Sequence, residues 1–253
     1  MTACCKNCRK IRTGEYCSDC GQKFSVDRIS LSYLLQQFSK DVLQFERGLL
    51  YTAVTLFYRP GQVIKDYISG KRISYTKPFT YLVLISAMYI YLSTIFGFET
   101  VMQDLIAGIQ HGLANDEKSS SSAMLSILTW FNSHYVASVL LSVPALSLAT
   151  SYAFYKSGFN FYEHFVLNLY MSCQRMIIYA ALGPIASISK VFEPIPLVLS
   201  LAYTVFAYFQ IFDSSSIKRR IVSVVYTYLL FGIITFLFLV IVAVIHTEIS
   251  QGL

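Results

Sequence analysis

Five apolar stretches constrain this chain more than any other feature: about Phe79–Phe98, Tyr135–Tyr155, Phe165–Ser187, Ile195–Phe212 and Ile221–Ile245. Each is close to the ~20 residues that the hydrocarbon core of a bilayer requires. In lipid a helix satisfies all of its own backbone polar groups, so such runs predict an all-α membrane protein built as a five-span helical bundle. Composition agrees. Of 253 residues, 55% are hydrophobic and 13% charged, against about a quarter charged in a soluble domain. The first residues are polar, cysteine-rich and basic, so no cleavable signal peptide is expected.

Two regions precede the spans. Residues 1–28 form a polar head, and residues 29–77 read as amphipathic juxtamembrane helices; residues 78–253 are the spanning domain. Leu31, Leu34, Leu35, Phe38, Val42, Phe45 and Leu49 recur at steps of three and four, with Gln36, Gln37, Lys40, Asp41 and Gln44 on other faces. That spacing predicts one amphipathic helix continuing to Tyr58 and stopped by Arg59-Pro60-Gly61. A shorter helix, Gln62 to Ser69, closes at Gly70. Both are too charged to span and are expected on the inner membrane surface or beneath the bundle. Between the first two spans, Val101, Leu105, Ile109 and Leu113 mark another amphipathic stretch, followed by Asn115-Asp116-Glu117-Lys118 and four serines, a solvated loop. Residues 124–155 exceed one span, so a tilt or a break before His134 is expected, with Trp130 suited to the interface.

Lys and Arg orient the chain. Thirteen of the twenty precede the first span; Lys118 and Lys190 occupy alternate loops, and Lys156 and Lys218-Arg219-Arg220 the others. With the head inside, inner segments hold seventeen basic residues and outer segments two, which predicts a cytosolic N-terminus and an external C-terminus.

Cys5, Cys8, Cys17 and Cys20 form two C-x-x-C pairs separated by eight residues. Each pair aims two sulfurs at one centre from a tight turn, and four thiolates leave no open coordination position. The expected cofactor is one structural zinc per chain in a zinc ribbon; redox chemistry or an iron site are the alternatives. So short a segment cannot bury a core, so metal binding would supply its folding energy. Thiolate ligands need a reducing compartment, which again places the head in the cytosol. Cys4 can substitute for Cys5, and Cys173 reads as an apolar packing residue. Zinc ribbons often bind nucleic acid, but Glu15 and Asp19 dilute the basic residues here, so a cytosolic protein contact or a cap on the inner face is expected instead.

The head, Arg59-Pro60-Gly61, Gly70-Lys71-Arg72 with Tyr75 and Pro78, and Tyr162-Glu163-His164 together resemble an uncharacterised bacterial family described only as a domain of unknown function. Its members couple a short zinc ribbon to a multi-pass membrane region. The resemblance implies this architecture in a bacterial cytoplasmic (inner) membrane and supplies no activity. A glycine often follows each C-x-x-C in that family; here Gly21 follows Cys20 but Arg9 follows Cys8, which predicts a looser first knuckle.

Three further sets of residues are candidates. Arg59, Lys65, Lys71, Arg72 and Lys77 form a basic strip before the first span, opposed by Asp66. The strip either binds anionic headgroups or simply fixes topology. Arg175 lies within the third span with no Asp or Glu at matching depth. It either lines a hydrated or anion-holding site, or snorkels or bonds a backbone carbonyl. Glu163 and His164 begin that span and are expected to serve as cap and interface anchor, to relay protons, or to pair with Arg219 or Arg220. His111, His134 and His246 fall on the outer side on three separate elements. No paired carboxylates, His-rich motif or Ser–His set appears at one depth, so no enzyme is expected. The expected function is transport or pore formation by a homo-oligomer, or a membrane-anchored scaffold whose head recruits a cytosolic partner.

Overall fold

The computed structural model describes residues 4–11, 14–40, 48–98, 129–131, 133–213 and 216–251. Among these the elements are α1 Leu31–Lys40, α2 Leu49–Tyr58, α3 Pro60–Ser69, α4 Pro78–Phe96, α5 Tyr135–Ala153, α6 Phe161–Ala186, α7 Ile195–Ile211 and α8 Ile217–Gln251. A 3₁₀ turn at Tyr155–Ser157 joins α5 to α6. The stretch containing Val101, Leu105, Ile109, His111 and Leu113, the Asn115–Lys118 loop and the serine run lie outside the described residues, as does the side chain of His246.

Proline and glycine set the boundaries. Pro60 and Pro78 open α3 and α4, where a missing N–H costs nothing. Gly70 (φ 105) and Gly97 (φ 62) close them in the left-handed conformation. The single helix expected from Leu31 to Tyr58 starts afresh at Leu49, after Gly48 at φ −90, ψ 1. The register of α1 also differs from expectation. Leu31 and Leu35 are exposed, while Gln37, assigned to the polar face, is buried because its amide bonds the hydroxyls of Tyr33 and Tyr67. Where a tilt or a break is expected before His134, the helix Tyr135–Ala153 starts after His134, which has φ −116, ψ 56.

Among the described residues three helices are long and apolar enough to cross a membrane: α4, α6 and the Ile217–Val242 part of α8. Five spans are not supported. The segments at Ala137–Ala153 and Ile195–Ile211 are shorter apolar helices. In α5 the hydroxyls of Ser138, Ser142, Ser147, Thr150 and Ser151 bond carbonyls of the preceding turn, and Pro144 removes one backbone donor. In α6 the helix begins four residues before the expected Phe165, because Asn160 and Glu163 form a reciprocal capping box.

Contacts fix the helix directions. α4 and α6 run parallel: Phe79 meets Phe165, Tyr81 meets Tyr170, and Phe98 meets Gly183. α5 and α7 run antiparallel to them, with Asn168 of α6 bonded to Thr150 near the end of α5 and to Tyr208 near the end of α7. α8 then starts beside both ends, Ser223 donating to Ala153 O and Arg220 to Phe209 O. The starts of α4, α6 and α8 therefore share the end of the bundle that carries the head. α6 is the central helix, packed against α4, α5 and α7 and buried at Val166, Leu167, Leu169, Tyr170, Met171, Cys173 and Met176. Where α3 meets α7 the backbones nearly touch: a Cβ on Gly61 would lie 2.5 Å from the Gln210 carbonyl oxygen.

Candidate functional site

The two cysteine turns are built alike. In the first, Arg9 N–H donates to Cys5 O at 2.9 Å and Cys5 N–H to Lys10 O at 2.7 Å; in the second, Gly21 N–H donates to Cys17 O and Cys17 N–H to Gln22 O, both at 2.9 Å. Isolated bridges Cys4–Ile11 and Tyr16–Lys23 flank them. Gly21 has φ 73 and Arg9 φ 65, so the first turn keeps the full knuckle shape without its glycine. The expected loosening is absent from the geometry; about 1–2 kcal/mol of left-handed strain at Arg9 stands in its place.

The sulfurs converge. Cys5 and Cys20 Sγ are 3.6 Å apart, Cys8 and Cys17 Sγ 3.4 Å, and all four lie within 4.8 Å of one another. Metal–sulfur bonds of ~2.3 Å in a tetrahedron put sulfurs about 3.8 Å apart, so the four can hold one metal ion. Backbone N–H groups of Cys20 and Asp19 pull the Cys17 thiol down to about 7, toward the thiolate a metal needs. Lys10 and Asp19 pair across the two turns. Exposed Cys4 stands outside this set, and Cys173 is buried in α6.

The 70–76 loop is a platform for this head. Gln22 Oε1 accepts both Arg72 N–H (3.2 Å) and Ile73 N–H (3.0 Å), and Ser74 Oγ donates to Asn7 Oδ1 at 2.8 Å. Gly70 leaves room for the head: a Cβ there would lie 2.9 Å from Lys6 Cδ. A second attachment reaches α6. Arg28 forks the Glu163 carboxylate at 2.7 and 2.8 Å and donates to Gly158 O at 2.6 Å. The Glu163 side chain is 2% exposed and also accepts the Asn160 N–H at 2.7 Å. Glu163 thus closes the α6 cap and holds the head.

The five basic residues do not form one strip. Arg72 turns inward, donating to Tyr67 O and Asp27 O with its guanidinium 4.3 Å from the Tyr33 ring centre. Lys71 pairs with Asp66 at 3.0 Å and Lys65 with Asp213 at 2.6 Å. Arg59 is exposed before α3, and Lys77 is half-buried before α4.

Inside the bundle, α6 carries a polar seam at steps of four, four and three: His164, Asn168, Ser172 and Arg175. Asn168 Nδ2 donates to Ser147 Oγ (3.3 Å) and Thr150 Oγ1 (2.9 Å), and its Oδ1 accepts Tyr208 OH at 2.9 Å. Arg175 is half-buried and donates to Ser172 Oγ at 3.0 Å. His164 is fully buried between the rings of Phe159 and Phe212, with no hydrogen bond to either ring nitrogen among the described residues. His134 is exposed and stacked on Trp130, apart from His164.

Sequence reasoning missed Asn7, Gln22 and Arg28 in the head and Ser147, Thr150, Asn168 and Tyr208 in the seam. The N-x-x-E pattern at Asn160–Glu163 was a readable signal for the cap. Residues 46–90 match a family described as a protein of unknown function (DUF3667). The matched stretch holds Arg59-Pro60-Gly61, the platform loop and the start of α4, and leaves out the cysteines and α6. No curated protein and no solved structure matches the chain.

Proposed function

We propose that this is a non-catalytic protein of a bacterial cytoplasmic membrane that moves a small polar species across the bilayer as a homo-oligomer. A structural zinc ribbon caps its cytosolic face. The observation that carries this reading is the seam on α6. A helix apolar enough to span nevertheless buries His164, Asn168 and Ser172 and holds Arg175 along one face. Polar side chains inside a bilayer are costly, and they are retained where they serve a path or a relay. α5 and α7 line that face and return the chain between the three spans. Seventeen basic residues on the head side of the bundle, against two on the other, support a cytosolic head. Exposed Arg59 and half-buried Lys77 are the residues for anionic headgroups in this reading.

The chemistry of the donor set supports zinc: four sulfurs, tetrahedral spacing, no open position. Metal analysis should find about one zinc per chain, and Cys17→Ser should lose it. The head is tied to α6 at Glu163, next to His164, which suits a cap more than a free recruiting arm. One observation favours the scaffold reading: Ile11 and Tyr16 stand exposed on the head and offer a protein partner an apolar contact.

Flux of protons, potassium and small anions into liposomes carrying the full chain tests transport. Flux above protein-free liposomes that falls sharply in a folded Arg175→Met variant, and recovers partly with Arg175→Lys, is expected. Flux no greater than in empty liposomes, with a loss of partner binding in an Ile11→Ser, Tyr16→Ser variant, would leave the scaffold standing.

A further inference from the structure

A cavity of about 680 Å³ opens where the second cysteine turn, α1, α3 and the platform loop meet. Its volume falls within the range of small-molecule sites. Gln37 lines it and is 6% exposed. The Gln37 amide gives Nε2 to the hydroxyls of Tyr33 (2.6 Å) and Tyr67 (2.9 Å), and its Oε1 has no hydrogen-bond partner among the described residues. A buried acceptor without a donor is costly, and native interiors rarely keep one. Among the described residues the pocket is therefore short of a donor at that atom.

Among the described residues the same walls carry Lys23, Arg72 and Lys77 with Asp27; Lys23 is paired with Glu15 at 3.2 Å, so Arg72 and Lys77 are the cations a ligand would meet. Arg72 is held in place by Tyr67 O, Asp27 O and the Tyr33 ring, so its guanidinium is preorganised. Lys77 directly precedes α4, which puts the cavity at the level where a span leaves its headgroups. An excess of cations beside an unsatisfied amide oxygen defines the missing ligand: an anion that also carries a hydroxyl donor. Were the amide turned over, its N–H groups would face the phosphate instead, so the same ligand satisfies either orientation.

We propose that this cavity binds a hydroxyl-bearing phosphate ester, its phosphate on Lys77 and Arg72 and its hydroxyl on Gln37 Oε1. Such a group is found on a glycerol-type phospholipid headgroup and on free glycerol phosphate. Binding is read without flux, so it stands or falls apart from the transport reading. Purified full-length protein in neutral detergent is titrated calorimetrically with short-chain phosphatidylglycerol, with glycerol 3-phosphate, and with short-chain phosphatidylcholine, which lacks the hydroxyl donor. Saturable binding of either of the first two is expected, with phosphatidylcholine at least about tenfold weaker. Binding confined to the lipid assigns the ligand to the membrane; equal binding of glycerol phosphate assigns it to the cytosol. Gln37→Met and Lys77→Met should each weaken binding about tenfold. Lys77→Met makes the test independent of the support Gln37 gives to Tyr33 and Tyr67. Absence of saturation with both hydroxylated probes, equal affinity for phosphatidylcholine, or unchanged binding in both variants would overturn the proposal.

Discussion

Helices α6 and α8 both meet the length and hydropathy of a membrane span, yet they live in different surroundings. α6 has the lowest mean hydropathy of the three spans and 61% of its spanning window buried; α8 has the highest, with 11% buried. α6 spends its polar residues on neighbours: Glu163 on Arg28, Asn168 on α5 and α7, Gln174 on Ala53 O and Tyr81. α8 shows Ile221, Val222, Leu229, Ile233, Phe236 and Ile241 to the outside. In lipid, apolar contact between helices brings little gain, because the acyl chains are equally apolar; hydrogen bonds and close fit hold helices together. Polarity within a span thus marks the interior of this bundle, and hydropathy marks its rim.

The contrast breaks if substitutions on the two helices cost the same. Asn168→Ala removes three hydrogen bonds at once and should cost about 3 kcal/mol in detergent unfolding followed by circular dichroism. Phe236→Ala, at a side chain 62% exposed, should stay within about 0.5 kcal/mol by the same measurement. Glycines sharpen the point. Gly61→Ala would drive a methyl into the Gln210 backbone and should lose about 2 kcal/mol, seen as a lower Tm. Gly232→Ala, with nothing within 4 Å of its Cβ, should be neutral or gain up to about 1 kcal/mol.

A smaller effect separates the head from the spans. Glu163→Gln keeps an acceptor for the α6 cap but loses the charge that holds Arg28, at a cost of about 1 kcal/mol. Tryptic cleavage after Arg28 should speed up; an unchanged rate would show that the platform loop alone holds the head. The smallest effect is at Lys65–Asp213. The Lys65 ammonium holds the Asp213 carboxyl below its usual value, so this pair's contribution is complete above about pH 4 and disappears as pH falls through the lowered value. The pair is largely solvent-exposed, so Asp213→Asn should flatten that acid limb by less than about 1 kcal/mol.

Local chemistry was legible in the sequence and distant pairing was not. Pro60 and Gly70 declare the ends of α3 within a few residues, and the cysteine spacing foretells convergence of the sulfurs. Asn160 and Glu163 also spell a local cap, yet an apolar run starting at Phe165 masked it. Gln37 reads as polar surface until Tyr67, thirty residues on, supplies its partner. Arg28 and Glu163 are 135 residues apart, and no periodicity links them. Counting spans failed for a related reason. Apolar composition marks the segments at Ala137–Ala153 and Ile195–Ile211 as it marks α4, α6 and α8, and it does not show that these two are shorter helices.

The directions of the helices carry an electrical consequence. Among the described helices of the bundle three begin at the head end and two finish there, so their peptide dipoles cancel in pairs and leave one over, its positive pole at the head end. Such a pole is worth about half an elementary charge. With the head in the cytosol, as proposed, an inside-negative voltage draws that pole inward, by at most about 1 kcal/mol for each ~100 mV. An energised membrane then favours the orientation in which the chain was inserted, and de-energising it removes that bias.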